Sequence, residues 1–231
     1  MKIWKGVLRN APIIGVAWVR FREWRARFRG TSKYWDRRYK GGGNSGPGSY
    51  NRLAEFKANF LNRFVDEHQV ISVVEYGCGD GAQLSLARYL NYTGVDISPT
   101  AVKMCQARFA DDTSKRFLRL DAIMQNPTGD LSLSLDVVFH LVEDTLFEAY
   151  MRRLFDSARR FVIIYSSNTD QDWPGPHVRH RQFTRWIEEN EPDWYLHTTL
   201  KNPLPYDLAD PEQTSFSDFY DFARRFPAGA R

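Results

Sequence analysis

An α/β fold, a mostly parallel sheet with helices on both faces, is what this 231-residue sequence predicts, and three observations predict it. From residue 50 onward, short β-branched runs alternate with stretches of helical periodicity, which is the signature of βαβ units. The run "FVIIY" is apolar throughout, as expected of a strand buried on both faces. The run "VISVVEYGCGDG" ends abruptly in glycines, so one strand stops where the backbone can closely approach a ligand.

The elements run in order along the chain. "SYNRLAEFKANFLNRFVDEH" puts Leu53, Phe56, Phe60, Leu61 and Phe64 on one helical face, with Ser49 as the expected N-cap. The first strand is "VISVVEY", and "AQLSLARYL" after it reads as a helix. "YTGVDIS" is a second strand, and "PTAVKMCQARFA" a helix opened by Pro99. "RFLRLDA" and "DLSLSLD" are strands, "TLFEAYMRRLFDSARR" a helix and "FVIIYSS" a fifth strand. "RQFTRWIEENEP" is helical, and "WYLHTTL" and "TSFSDFYDFARR" close the chain as strands. Strands joined without a helix pair antiparallel.

Charge divides the chain. Residues 1–40 hold twelve Lys/Arg and two acids, a balance of +10, whereas the remainder balances at −6. Residues 1–33 therefore read as a basic arm and 34–231 as one domain. Within the arm, Ile14, Trp18, Phe21, Arg25 and Phe28 recur at helical spacing, which suits packing, a homodimer contact or peripheral membrane binding. The apolar run 11–19 is too short for a membrane span, which needs about 20 residues. No nucleic-acid motif accompanies the basic charge, so nucleic acid is a disfavoured partner. Two cysteines without ligand spacing imply a reducing, cytoplasmic setting.

"EYGCGDG" carries Glu75, Gly77, Gly79 and Gly81, and acids close the next three strands in turn: Asp96, Asp121 and Asp136. A carboxylate offers only acceptors, so each suits a donor such as a ribose hydroxyl or an exocyclic amine. In order and spacing this set resembles the class I S-adenosylmethionine-dependent methyltransferases over residues 34 to about 223. The resemblance implies their Rossmann-like fold, a seven-stranded sheet with an antiparallel final strand, and S-adenosyl-L-methionine as cofactor. It implies Glu75, Gly77, Gly79, Asp96 and Ile97 as cofactor contacts. Asp96 takes the ribose, Asp121 faces the adenine amine, and Asp136 lies beside the reacting methyl.

Beyond Asp136 the sequence bears on the acceptor. "DVVFHLVED" lacks the prolines of base N-methyltransferases and offers His140, a side chain suited to take an alcohol's proton near pH 7. Asp136 is a second catalytic candidate, and His177 and His180 stand behind His140 as alternative bases. Glu143 and Asp144 read as helix caps or acceptor contacts, and a magnesium ion on them would hold a diol. Trp173, Arg179 and Arg181, in "DWPGPHVRHRQF", suit a sugar ring or an anionic group. Tyr34 and Arg38, in "YWDRRY", are further acceptor candidates. "YWDRRY…GGGNSGPGSYNRLAEFK" and the later motifs resemble a bacterial tailoring subgroup that includes sugar and polysaccharide O-methyltransferases. The function expected is methyl transfer to a sugar hydroxyl. The alternatives are an RNA- or protein-modifying methyltransferase recruited by the arm, and a non-catalytic binding module.

"GGGNSGPGS" (residues 41–49) composes like a linker but leads straight into the helix before the glycine turn. Its expected role is a lid, with Asn44 and Ser45 closing over the methionine end or the acceptor.

Overall fold

The computed structural model describes residues 28–225, so the expected arm helix lies almost wholly outside the described residues. A helix α1 (Thr31–Lys40) and a loop lead into α2 (Asn51–Glu67). After them come β1 (Ser72–Tyr76), β2 (Asn91–Asp96), α3 (Pro99–Arg108), β3 (Lys115–Arg119), β4 (Gly129–Leu135), α4 (Asp144–Asp156), β5 (Ala158–Ser166), α5 (Phe183–Asn190), β6 (Trp194–Leu200) and β7 (Asp218–Arg224). The strands form one seven-stranded sheet in the order β3-β2-β1-β4-β5-β7-β6. Pairing is parallel from β3 to β5, and β7 runs antiparallel to both β5 and β6.

Alternation along the strands feeds two cores. Val73, Leu131, Leu133 and Ile163 pack on one side with Leu61 and Phe64 of α2 and Val102 of α3. Val74, Val162 and Ile164 pack on the other with Phe147, Met151 and Leu154 of α4 and Ile187 of α5. Burial on both faces is what makes the central strands apolar throughout.

Three local expectations are corrected. "AQLSLARYL" is no α-helix and contains only a 3₁₀ turn, Leu84–Leu86. The side chain of Asn62 takes the amide of Arg88 and donates to the carbonyl of Leu86, holding this segment extended as it crosses to β2. Ser49 does not cap α2. It ends a 3₁₀ turn, Pro47–Ser49, and the N-cap is Tyr50 without a side-chain bond. Helix α4 stops at Asp156, because Ala158 already pairs with Gly129 in the sheet.

Candidate active site

A cleft opens at the carboxyl edge of β1, β2 and β4, where parallel strands of an open α/β sheet place their ligands. Its floor is the glycine turn. Gly77 and Gly79 have φ of 85° and 58°, which glycine adopts without strain. A Cβ on Gly77 would lie 2.4 Å from Val137, and one on Gly79 would lie 2.3 Å from the Ser45 hydroxyl, so neither position admits a side chain.

Asp96 ends β2 inside this cleft. It accepts the amides of Gly79 (2.9 Å) and Ser98 (2.8 Å), and burial pushes its pKa up to about 6. Glu75 is buried, accepts the Tyr92 hydroxyl at 2.6 Å, and is pushed by burial to about 7. These are desolvated carboxylates with acceptor capacity to spare, beside a cradle closed to side chains. Such a set fits a ligand that brings hydroxyl and amino donors. Ile97 also lines the cleft.

Asp121 stands apart. It is exposed in the 3₁₀ turn after β3 and its carboxylate is paired with Arg119, while the neighbouring Leu120 lines the cleft instead. The adenine contact expected of its carboxylate is thus not made ready by this geometry.

Asp136 sits just after β4 with φ of 57°, an unusual conformation for a side-chain-bearing residue. Its amide donates to the Tyr165 carbonyl (2.9 Å) and its carboxylate accepts the Ser217 hydroxyl (3.1 Å). Opposite it is Lys57, only 1% exposed, with its ammonium 2.6 Å from the Asp136 carboxylate and over the Tyr165 ring. Sequence reading missed Lys57. The signal was there, because Leu53, Lys57 and Leu61 fall four apart on the buried stripe of α2, where an unpaired lysine would be costly.

The roof comes from the chain before β1. Trp35 and Tyr39 of α1 line the cleft, as do Ser45 and Ser49 of the loop. Ser45 and Asp80 bond reciprocally, each amide donating to the other's side chain at 2.9 Å. The Tyr50 hydroxyl also donates to Asp80, at 2.6 Å. Gly48 lies against Asp136, leaving no room for a Cβ. Asn44 stays out of the cleft. With Arg38, whose Nε donates to its carbonyl at 2.6 Å, it organises the loop from outside.

The acceptor candidates scatter. His140 lines the cleft, and its Nδ1 lies 2.8 Å from the His177 carbonyl. That contact places the proton on Nδ1 and leaves the Nε2 lone pair as the ring's acceptor. Burial lowers the His140 pKa to about 3, which corrects its expected standing as a base poised near neutrality. His177 stacks between Tyr34 (4.7 Å) and His140 (5.5 Å), so Tyr34 supports this aromatic stack and lies outside the cleft lining. His180 is buried and bonded through Nδ1 to Ser167 (2.6 Å). Glu143 takes the amide and hydroxyl of Thr31, capping α1 from across the roof. Asp144 is paired with Arg179 and Arg181. Trp173 packs edge-on with His180 and Phe216 away from the cleft. Among the described residues no group of three or more His, Cys, Asp or Glu could hold a metal ion, and the two carboxylates considered for magnesium, Glu143 and Asp144, are engaged by Thr31 and by the two arginines.

Residues 73–162 match the family described as "Methyltransferase domain". This stretch is a methyltransferase domain, and the seven-stranded sheet has the class I methyltransferase fold. The chain is 29% identical over 195 residues to the mouse EEF1A lysine methyltransferase 4, covering 74% of this chain and 70% of that protein. The fold is that of the N-methyltransferase NodS from Bradyrhizobium japonicum, solved with S-adenosyl-L-homocysteine. The two share a TM-score of 0.63 and 16% identity over 84% of this chain and 98% of that one. Magnesium protoporphyrin IX methyltransferase from Synechocystis, also with bound S-adenosyl-L-homocysteine, matches at a TM-score of 0.56 and 17% identity, over 75% and 84% of the two chains. Both of these neighbours hold S-adenosyl-L-homocysteine, which supports S-adenosylmethionine as the cofactor. No helix among the described residues is long and apolar enough to cross a membrane.

Proposed function

We propose that this methyltransferase methylates a hydroxyl of a sugar, an oligosaccharide or a related small polyol. The observation that carries the reading is His140, at the cleft wall four residues after Asp136, with its tautomer set by the His177 carbonyl. The cofactor supplies an electrophilic methyl on a sulfonium. Asp96 and Glu75 would hold its donor groups, with Gly77 and Gly79 beneath. Lys57 and Asp136 present opposite charges side by side, complementary to the carboxylate and amino group of its methionine end. Neutral His140 would accept the acceptor hydroxyl's hydrogen bond and align the oxygen lone pair for attack on the methyl carbon. The C–O bond then forms as the S–CH3 bond breaks, the sulfonium leaves as the neutral thioether S-adenosyl-L-homocysteine, and His140 takes the hydroxyl proton. Its low pKa makes this proton transfer late, because a weak base gains the proton only once the oxygen has become strongly acidic.

The loop 41–49 acts in this reading as a lid, latched to the glycine turn through Ser45, Tyr50 and Asp80. The test of the acceptor chemistry is methyl transfer from radiolabelled S-adenosylmethionine to neutral oligosaccharides. His140→Ala should cut turnover more than tenfold with cofactor affinity retained, and a smaller loss would remove it from the chemistry.

An amino acceptor is the second reading, favoured by the lysine methyltransferase among its relatives and by the low His140 pKa. A neutral amine attacks without a base and loses its proton afterwards. Mass spectrometry and NMR of the product separate an O-methyl from an N-methyl group.

A further inference from the structure

A second cavity of about 670 Å³ lies outside the cleft, bounded by the segment after β5 and the first turns of α4 and α5. Only a thin wall separates the two spaces. Leu141 lines the cleft and its neighbour Val142 lines the cavity. Arg181 braces that wall, donating to the carbonyls of Leu141 (2.5 Å) and Val142 (3.0 Å), and Arg179 adds a bond to Val142 (3.0 Å).

The charges of the cavity are unevenly committed. Arg179 and Arg181 are taken up by Asp144 and by these carbonyls. Arg185 donates to Gln182 at 2.9 Å. The exposed carboxylates of Glu148, Asp172 and Glu189 make no side-chain hydrogen bond or ion pair within the described residues, and all three line the cavity. Trp173 and Trp186 stand in the same wall, both half-buried. Trp173 is held by T-shaped contacts to His180, Tyr206 and Phe216, each at 5.4 Å between ring centroids.

We infer that this cavity binds the neutral sugar units flanking the methylated one, so that the acceptor is an oligosaccharide spanning the wall at Leu141–Val142. Uncommitted carboxylates accept from hydroxyl donors, and a fixed indole packs on the C–H face of a pyranose. An anionic ligand would meet uncommitted negative charge. A basic peptide would meet Arg185, which pairs with no acid among the described residues, and the lining of five acids and three arginines has a net charge of only −2. A mixed lining of this kind suits a neutral, hydroxyl-rich molecule. The inference rests on the proposed saccharide acceptor and adds a second subsite to it.

The test is saturation-transfer NMR on the full chain with S-adenosyl-L-homocysteine present, using maltohexaose, chitohexaose and mannohexaose as probes and tetralysine as the competing class. At least one oligosaccharide should bind, with Trp173→Ala and Glu189→Gln each weakening it at least fivefold and leaving the affinity for S-adenosyl-L-homocysteine within twofold. Glu189→Gln is an exposed substitution, so the test survives if Trp173→Ala fails to fold. No oligosaccharide binding, binding indifferent to both substitutions, or Glu189-dependent binding of tetralysine alone would each overturn the inference. Trp173-dependent saccharide binding with methyl delivered to an amine would instead overturn the hydroxyl reading and leave the cavity assignment standing.

Discussion

The two halves of the carboxyl edge are built on different terms. On the β1–β2 side, the ligand-facing groups come from one continuous stretch, residues 75–97, and the backbone itself is the floor. On the β4–β5 side, Asp136 and His140 follow β4 directly, but the groups that hold this wall come from distant parts of the chain. Lys57 comes from α2, Ser217 from the residue before β7, the His177 carbonyl from the segment after β5, and Thr31 from α1. A site made of contiguous residues is specified by motif. A site assembled by packing is free to change its acceptor without touching the cofactor cradle.

The largest expected effect is at the join of the two halves. Lys57→Met leaves the Asp136 carboxylate without its buried partner and should cost about 3 kcal/mol, a drop in melting temperature on the order of 10 °C. If the pair also holds the methionine end, the variant weakens S-adenosyl-L-homocysteine at least tenfold and leaves 5′-methylthioadenosine, which lacks that end, unaffected. Equal losses for both ligands would place Lys57 in the scaffold alone.

Next is pH, which isolates the cradle. In the free protein Asp96 titrates at about pH 6, above its ordinary value of 3.8, because burial disfavours its charge. Donor hydroxyls favour the ionised form, so bound ligand lowers that pKa. Affinity for S-adenosyl-L-homocysteine should therefore hold above pH 7 and fall by up to tenfold per unit below 6. The stability contribution has the opposite sense. A raised acid pKa means the folded state binds more protons, so stability contributed by Asp96 is lost as pH rises from about 4 to 6. An affinity flat from pH 7.5 to 5 would sever Asp96 from the ligand.

The smallest effect expected is at the latch. Ser45→Ala removes the hydroxyl that accepts the Asp80 amide and should speed release of S-adenosyl-L-homocysteine about threefold, in line with one lost hydrogen bond. Stopped-flow release rates unchanged by the substitution would return residues 41–49 to the status of a linker.

Much of the fold was legible because short β-branched runs recur between helical stretches and the central strands are apolar on both faces. Val73 and Val74 feed opposite cores, as a period of two demands. "AQLSLARYL" misled because its helical periodicity is overridden by one side chain, Asn62, from another element. At the site, the family resemblance pointed to Glu75, Gly77, Gly79 and Asp96, and these neighbours in sequence line one cleft. Asp121 has the right place in the order, but Arg119 draws its carboxylate to solvent. His140 could be found by position, whereas its low pKa comes from burial that only packing reveals. Arg179 and Arg181 looked like ligand-binding groups and are braces for the Leu141–Val142 wall.

The most direct measurement is calorimetric titration of the full chain with S-adenosyl-L-homocysteine at pH 7.5, for the native sequence and for Asp96→Ala. Losing an acceptor for two ribose hydroxyls should weaken binding by about 3 kcal/mol, roughly a hundredfold, in a variant that still unfolds cooperatively, at a lower temperature because the Gly79 and Ser98 amides lose their acceptor. Equal affinity in both proteins would contradict the assignment of Asp96, and with it the cofactor cradle at the carboxyl ends of β1 and β2.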